Sequence, residues 1–172
     1  MEDRPSEELK KIGDHFLDGL LQKTYSFAQH LDHQVNILLG ISSAVFLFSL
    51  SRVLERGGGP AFLVLSVCAG LSSLVALFAV HPPKFMRKRG QKESVFYHKH
   101  AETFSSSAEY AQALGEVIEH KEAMIQEYAT EAYNVSKYYY RPKRRLFHLS
   151  RNLLLFGVLA SFVLSLVSLI TH

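Results

Sequence analysis

The side chains with the most chemical potential lie in two basic clusters, PPKFMRKRGQK at 82–92 and KYYYRPKRRLFHLSR at 137–151. Arginine forks match the oxygens of a phosphate. The three consecutive tyrosines Tyr138, Tyr139 and Tyr140 could stack a base, as aromatic side chains do in nucleic-acid readers. Lys143, Arg144 and Arg145 with these tyrosines therefore form a candidate site for a phosphorylated ligand. The plainer reading is a basic membrane flank touching anionic lipid, worth about 1 kcal/mol per basic residue near the surface. Both readings stay open at this point; nucleic acid is not expected as a partner.

Other constellations carry less. The one cysteine, Cys68, lies inside an apolar run, so neither a disulfide framework nor a thiolate metal site is expected. There are nine histidines. His30 and His33 share a helical face with Asp32 between them, but a metal site needs more ligands in fixed geometry. His98 and His100, two apart, point to different faces of a helix. No HExxH, GxSxG, Walker loop or GxGxxG occurs, and Gly57-Gly58-Gly59 reads as a turn. No catalytic residue and no metal or other cofactor is expected, and the chain is not expected to be an enzyme.

These residues are set among three apolar blocks. The chain has 172 residues, 48% of them hydrophobic, and a mean hydropathy of +0.05, close to that of a soluble domain. The apolar residues are nevertheless segregated. Block 35–54 includes ILLGISSAVFLFSL, with Arg52 near its end; 61–80 is uncharged and stops at His-Pro-Pro; 153–170 is again uncharged. A spanning helix needs about 20 apolar residues to cross roughly 30 Å of hydrocarbon. Arg52 can hold its head at the interface, and proline ends the second block by lacking an amide donor. Three buried helices in a soluble protein would leave too little chain to cover them on every face. The first block is not expected to be a cleaved signal peptide, because a long polar helix precedes it.

The fold class read from this pattern is an all-α membrane protein with three transmembrane helices and amphipathic cytosolic helices. Its parts are an N-terminal amphipathic helix (1–34), the first and second spans (35–80), a basic helical segment (81–152) and the third span (153–172). Thirteen Lys and Arg residues lie between the second and third blocks, against Arg52 and Arg56 between the first two. Basic flanks stay on the cytosolic side. The N-terminus and the central segment are thus expected in the cytosol, and His172 outside. In the N-terminal segment Ile12, Phe16, Leu20, Phe27 and Leu31 recur at helical spacing. In the central one, Ser106 and Glu109 read as a capping box. Beyond it Ala111, Leu114, Ile118, Ile125, Tyr128, Ala132 and Val135 read as the apolar stripe of one long helix. Such helices would pack together or against other subunits. Small residues that let spans approach are Gly40, Ser42, Ser43 and Ala44 in the first, and Ala69, Gly70, Ser72 and Ser73 in the second.

Over about residues 12–160 the chain resembles the transmembrane effectors of the bacterial Pycsar antiphage systems. Those proteins open their first span with D-x-K-A-x-x-L-L-x-I. The stretch from Asp32 to Ile41, DHQVNILLGI, keeps the aspartate, the leucine pair and the isoleucine, and departs at Gln34 and Val35. A second motif, a tyrosine-led helix followed by Y-x-x-S…K…L, is matched by Tyr110, then Tyr133, Ser136, Lys143 and Leu146, ahead of Phe156-Gly157. The resemblance implies a homo-oligomeric effector in the bacterial inner membrane. Its implied ligand is cyclic CMP or cyclic UMP, made by a cyclase on infection, and its implied action is to disrupt the membrane and cause abortive infection. The alternative is a non-enzymatic membrane scaffold that docks a partner protein through its cytosolic helix.

Overall fold

The computed structural model describes residues 4–55, 59–80 and 93–171, with side chains from residue 15 onward except at 98, 99 and 171. The first basic cluster at 82–92, Gly57 and Gly58, the His-Pro-Pro stop at 81–83 and His172 lie outside the described residues, and so do the side chains of Ile12 and His98. Among the described residues the elements are all helical: α1 (Arg4–Leu54), α2 (Pro60–Val80), α3 (His98–Ala101), α4 (Ser107–Glu119), α5 (Lys121–Asn134), a π-helix (Val135–Tyr140) and α6 (Arg141–Thr171). Three helical runs, His15–Leu54, Pro60–Val80 and Lys121–Ile170, are long and apolar enough to cross a membrane, in agreement with the three apolar blocks.

Local chemistry accounts for several boundaries. Pro60 opens α2, where a missing amide donor costs nothing. Ser106 caps α4, accepting from the Glu109 amide at 3.2 Å. Glu109 answers by accepting from the Ser105 amide at 2.9 Å, so the capping box forms one residue earlier on its return arm. Pro142, second in α6, cannot donate to the carbonyl of Tyr138 and would crowd it in a regular α-helix. The wider π-helical turn immediately before α6 relieves that crowding.

One expectation is corrected here. The stripe from Ala111 to Val135 does not lie on a single helix. His120, extended at φ −113° and ψ 105°, ends α4 and begins α5. Neither glycine nor proline marks this break; the adjacent residues are Glu119 and Lys121. Nor is the stripe the buried face: Ile118 is 68% exposed, whereas Glu127 and Glu131 of α5 are buried.

The chain divides into two compact units, Met1–Gln29 with Arg87–Tyr140, and His30–Met86 with Arg141–His172. Residues 30–34 and 141–152 therefore group with the spans.

In the span unit α2 packs along α6. The face that α2 buries is made of small residues: Ala61, Ser66, Ala69, Ser72, Ala76 and Ala79. From Ser66 onward their three-to-four spacing makes one stripe, and small side chains let helix backbones approach where lipid offers no hydrophobic driving force. Gly157 of α6 is seated so closely that a Cβ there would collide with the Cβ of Cys68. The Ser72 and Ser150 hydroxyls lie 2.9 Å apart, and each donates to the other's backbone carbonyl at 2.8 Å. Ser73 donates to Ser42 at 2.9 Å and so ties α2 to α1. Leu38, Ala69 and Leu154 form the small apolar centre, flanked by Val45, Phe46 and Phe147. Most larger side chains, among them Leu63, Leu71, Phe78, Leu159 and Phe162, face outward.

In the other unit α4 packs against α5. Phe96 packs at a tilt against Tyr128 with ring centres 4.9 Å apart, and Phe104 against Tyr110 at 5.3 Å.

Candidate functional site

The second basic cluster begins in the π-helix and runs into α6, where successive residues turn by about 100°. A linear string of cations is thereby distributed around the helix. Lys143 points inward. It is 3% exposed, and its Nζ lies 2.5 Å from Oδ1 of Asp32 in α1. Its neighbours Arg144 and Arg145 are exposed, as are Arg141 and Arg151. Arg144 Nε donates to His148 Nε2 at 3.3 Å.

The structure thus joins two residues that belong to separate motifs, Asp32 at the head of the first span and Lys143 before the third. Removing two charges from water costs several kcal/mol unless attraction and further hydrogen bonds offset it. Asp32 keeps 36% of its side chain exposed, which lowers that cost. The pair fixes α1 to α6 at the end of the span unit that carries the basic residues.

The remaining predicted residues lie in the other unit. Tyr138, Tyr139 and Tyr140 occupy the π-helix, with Tyr139 exposed and its neighbours half-buried. Lys137 donates to the hydroxyl of Tyr133 and sits over the Tyr133 ring at 4.5 Å and the Tyr138 ring at 5.5 Å, a cation–π arrangement. Tyr133 meets Tyr138 edge to face, with centres 6.1 Å apart. Tyr110 donates to the Val95 carbonyl at 3.1 Å, while Ser136 is exposed.

Two carboxylates that the sequence reading passed over organise this unit. Glu127 accepts from the Val95 amide at 2.9 Å. Glu131, 2% exposed, accepts from the hydroxyl of Tyr25 at 2.5 Å. Burial first, then the hydrogen bond and charge of Glu131, raise the pKa of the Tyr25 hydroxyl well above its ordinary value. In the sequence they stand as an i, i+4 pair of glutamates, a spacing that puts both on one face of α5.

His30 and Gln34 lie 3.0 Å apart, nitrogen to nitrogen. Among the described residues no three of the His, Cys, Asp and Glu side chains come together as a metal site. A groove of about 660 Å³ opens between α1 and α2. Its lining includes Leu39, Phe46 and Leu71 with the hydroxyls of Ser43, Ser66 and Ser73, which suits an apolar chain rather than a charged ligand.

Comparison with known proteins adds one finding. A family model described as the Pycsar effector protein domain matches residues 16–172. Neither the curated proteins nor the solved structures contain a match.

Proposed function

From the premise that the chain belongs to the Pycsar effector family, whose members are antiphage defence effectors with membrane-spanning helices, we propose that it senses a cyclic pyrimidine mononucleotide and responds by permeabilising the bacterial inner membrane. The observation that carries this reading is the inner surface of the span unit. Its buried positions are largely alanines and serines, with Ser42, Ser49, Ser72 and Ser150 fully buried. A seam of hydroxyls can exchange protein partners for water at little cost, because each hydroxyl both donates and accepts. Three spans do not enclose a pore, so permeation requires several copies, and the functional form is a homo-oligomer. No chemical step is needed, so the protein acts as a non-enzymatic, ligand-operated device.

In this reading the N-terminus and central segment keep the basic flanks in the cytosol and the C-terminus lies outside, so the nucleotide binds on the side where a cyclase would make it. Arg144 and Arg145, exposed on α6, offer donor forks to the phosphate. The sequence also offers Tyr138, Tyr139 and Tyr140 as aromatic side chains for the base. The ligand must bind the open arrangement more tightly than the closed one, since equal affinity shifts nothing.

The test is dye release from liposomes holding the purified full chain, with cyclic CMP, cyclic UMP and cyclic AMP added in turn. Release with one pyrimidine nucleotide and not with the purine is the expected result. Silence with all three, insertion being verified, would reject the reading. The second reading, a scaffold docking a partner protein, draws on the exposed Ile118 and Ile125. It requires no leakage and a retained partner that is lost in Ile118→Asp.

A further inference from the structure

Helix α6 has two faces of different chemistry from Arg141 to Val163. Lys143, Phe147, Ser150, Leu154 and Gly157 fall on one side at helical spacing, and all of them are buried or partly buried. On the other side, at about 100° per residue, Arg141, Arg144, Arg145, His148 and Arg151 share one half of the surface. The four arginines are exposed. The same half then continues as Leu155, Phe156, Leu159, Phe162 and Val163, with exposures from 53% to 65%. Leu149, 50% exposed, lies among the basic residues. Residues 141–171 contain no Asp or Glu, and Asp32 engages Lys143 on the opposite face.

We propose that this outer face of α6 is a binding site for anionic phospholipid, with Arg141 and Arg151 on the headgroup phosphodiester and the apolar residues along the acyl chains. Arginine forks match phosphate oxygens, and they are more weakly hydrated than ammonium groups. A free phosphate would meet the same arginines. The unbroken continuation into an exposed apolar strip is what selects a lipid, since only a lipid carries phosphate and hydrocarbon in that order along the membrane normal. The inference rests on α6 spanning the bilayer and not on the nucleotide reading. Arg141 and Arg151, outside the candidate nucleotide set, keep the two separable.

The chain has no tryptophan, so Leu149→Trp supplies a single fluorophore on this face. The full chain is reconstituted in phosphatidylcholine vesicles doped with brominated phosphatidylglycerol or, at the same mole fraction, with brominated phosphatidylcholine. The expected result is stronger quenching by the anionic lipid. Arg141→Gln together with Arg151→Gln lowers that preference by about fivefold per arginine removed, with quenching by brominated phosphatidylcholine unchanged as the sign of intact insertion. Lys121→Gln on α5 leaves the preference as it was. Equal quenching by the two lipids, or a preference untouched by the double substitution, would overturn the proposal. So would an equal loss in Lys121→Gln, which would mean bulk charge rather than this face. Abolition of the preference by excess inorganic phosphate would assign the arginines to a free anion instead.

Discussion

The two units fill their interiors differently, and the difference follows from what surrounds them. The span unit buries mostly alanines and serines with a glycine and a few leucines, and turns most of its leucines and phenylalanines outward. In a bilayer that is the stable arrangement, because lipid tails solvate large apolar side chains as well as a protein core would. The other unit buries Glu127 and Glu131 and satisfies them with Val95 and Tyr25, while Phe16, Phe27 and Ile118 stay exposed. Lipid does not explain those exposed residues in the proposed topology. The homo-oligomer proposed above would cover them. One unit thus adds close approach of small residues to its serine bonds and ion pair, and the other relies on buried carboxylates with hydrogen-bonded partners.

That contrast can be broken by experiment. The largest effect is expected from Gly157→Leu. With Cys68 already against the glycine, the added bulk should cost about 3 kcal/mol, read as a lowered unfolding temperature in micelles. An unchanged value would mean that α2 and α6 are not held by close approach. Lys143→Ala should cost about 2 kcal/mol by removing the cation that faces Asp32, less than the loss at a fully buried pair because Asp32 is partly exposed. Replacing both, as Asp32→Asn with Lys143→Met, should cost less than the single change. A double loss equal to the sum of the separate Asp32→Asn and Lys143→Met losses would show the pair uncoupled.

Tyr25→Phe should cost about 1 kcal/mol, seen as faster amide exchange in α5 with α2 unaffected. Exchange that rises equally in α2 would erase the distinction between the units. The same residue sets a pH dependence. The folded chain holds the Tyr25 proton more tightly than the unfolded chain, so its contribution is intact at neutral pH. It is lost as pH rises from about 10, the ordinary tyrosine value, toward the raised folded one. An alkaline stability profile should lose that component in Tyr25→Phe. The smallest effect is expected at Ser72→Ala, about 0.6 kcal/mol, with coupling to Ser150→Ala in a double-mutant cycle. A larger value would move the span unit toward the hydrogen-bonded kind.

The spans were legible because about 20 uncharged residues in a row have few other uses. The family was legible from Asp32, the leucine pair and the tyrosine motif, and the matched region, 16–172, covers nearly all of the stretch from which it was read. The break at His120 was not legible, since no residue type there forbids a helix. The partition of the second basic cluster was not read either: Lys143 and Arg144 are adjacent in the string, yet one is buried and the other exposed. Which of them turned inward depended on where α1 placed Asp32. Glu127 and Glu131 were missed because burial of a carboxylate depends on partners distant in sequence, here Val95 and Tyr25.

The alanine and serine lining of α2 has a consequence for how such a gene can drift. In a soluble core the damaging replacements are truncations, which leave cavities. Ala69, Ala76 and Ala79 have only a methyl left to truncate. A saturation library of α2 should therefore show the reverse polarity: its inward positions accept glycine, alanine and serine and reject every larger residue, while its outward leucines and phenylalanines interchange almost without penalty. Selection on this helix acts as an upper limit on side-chain size.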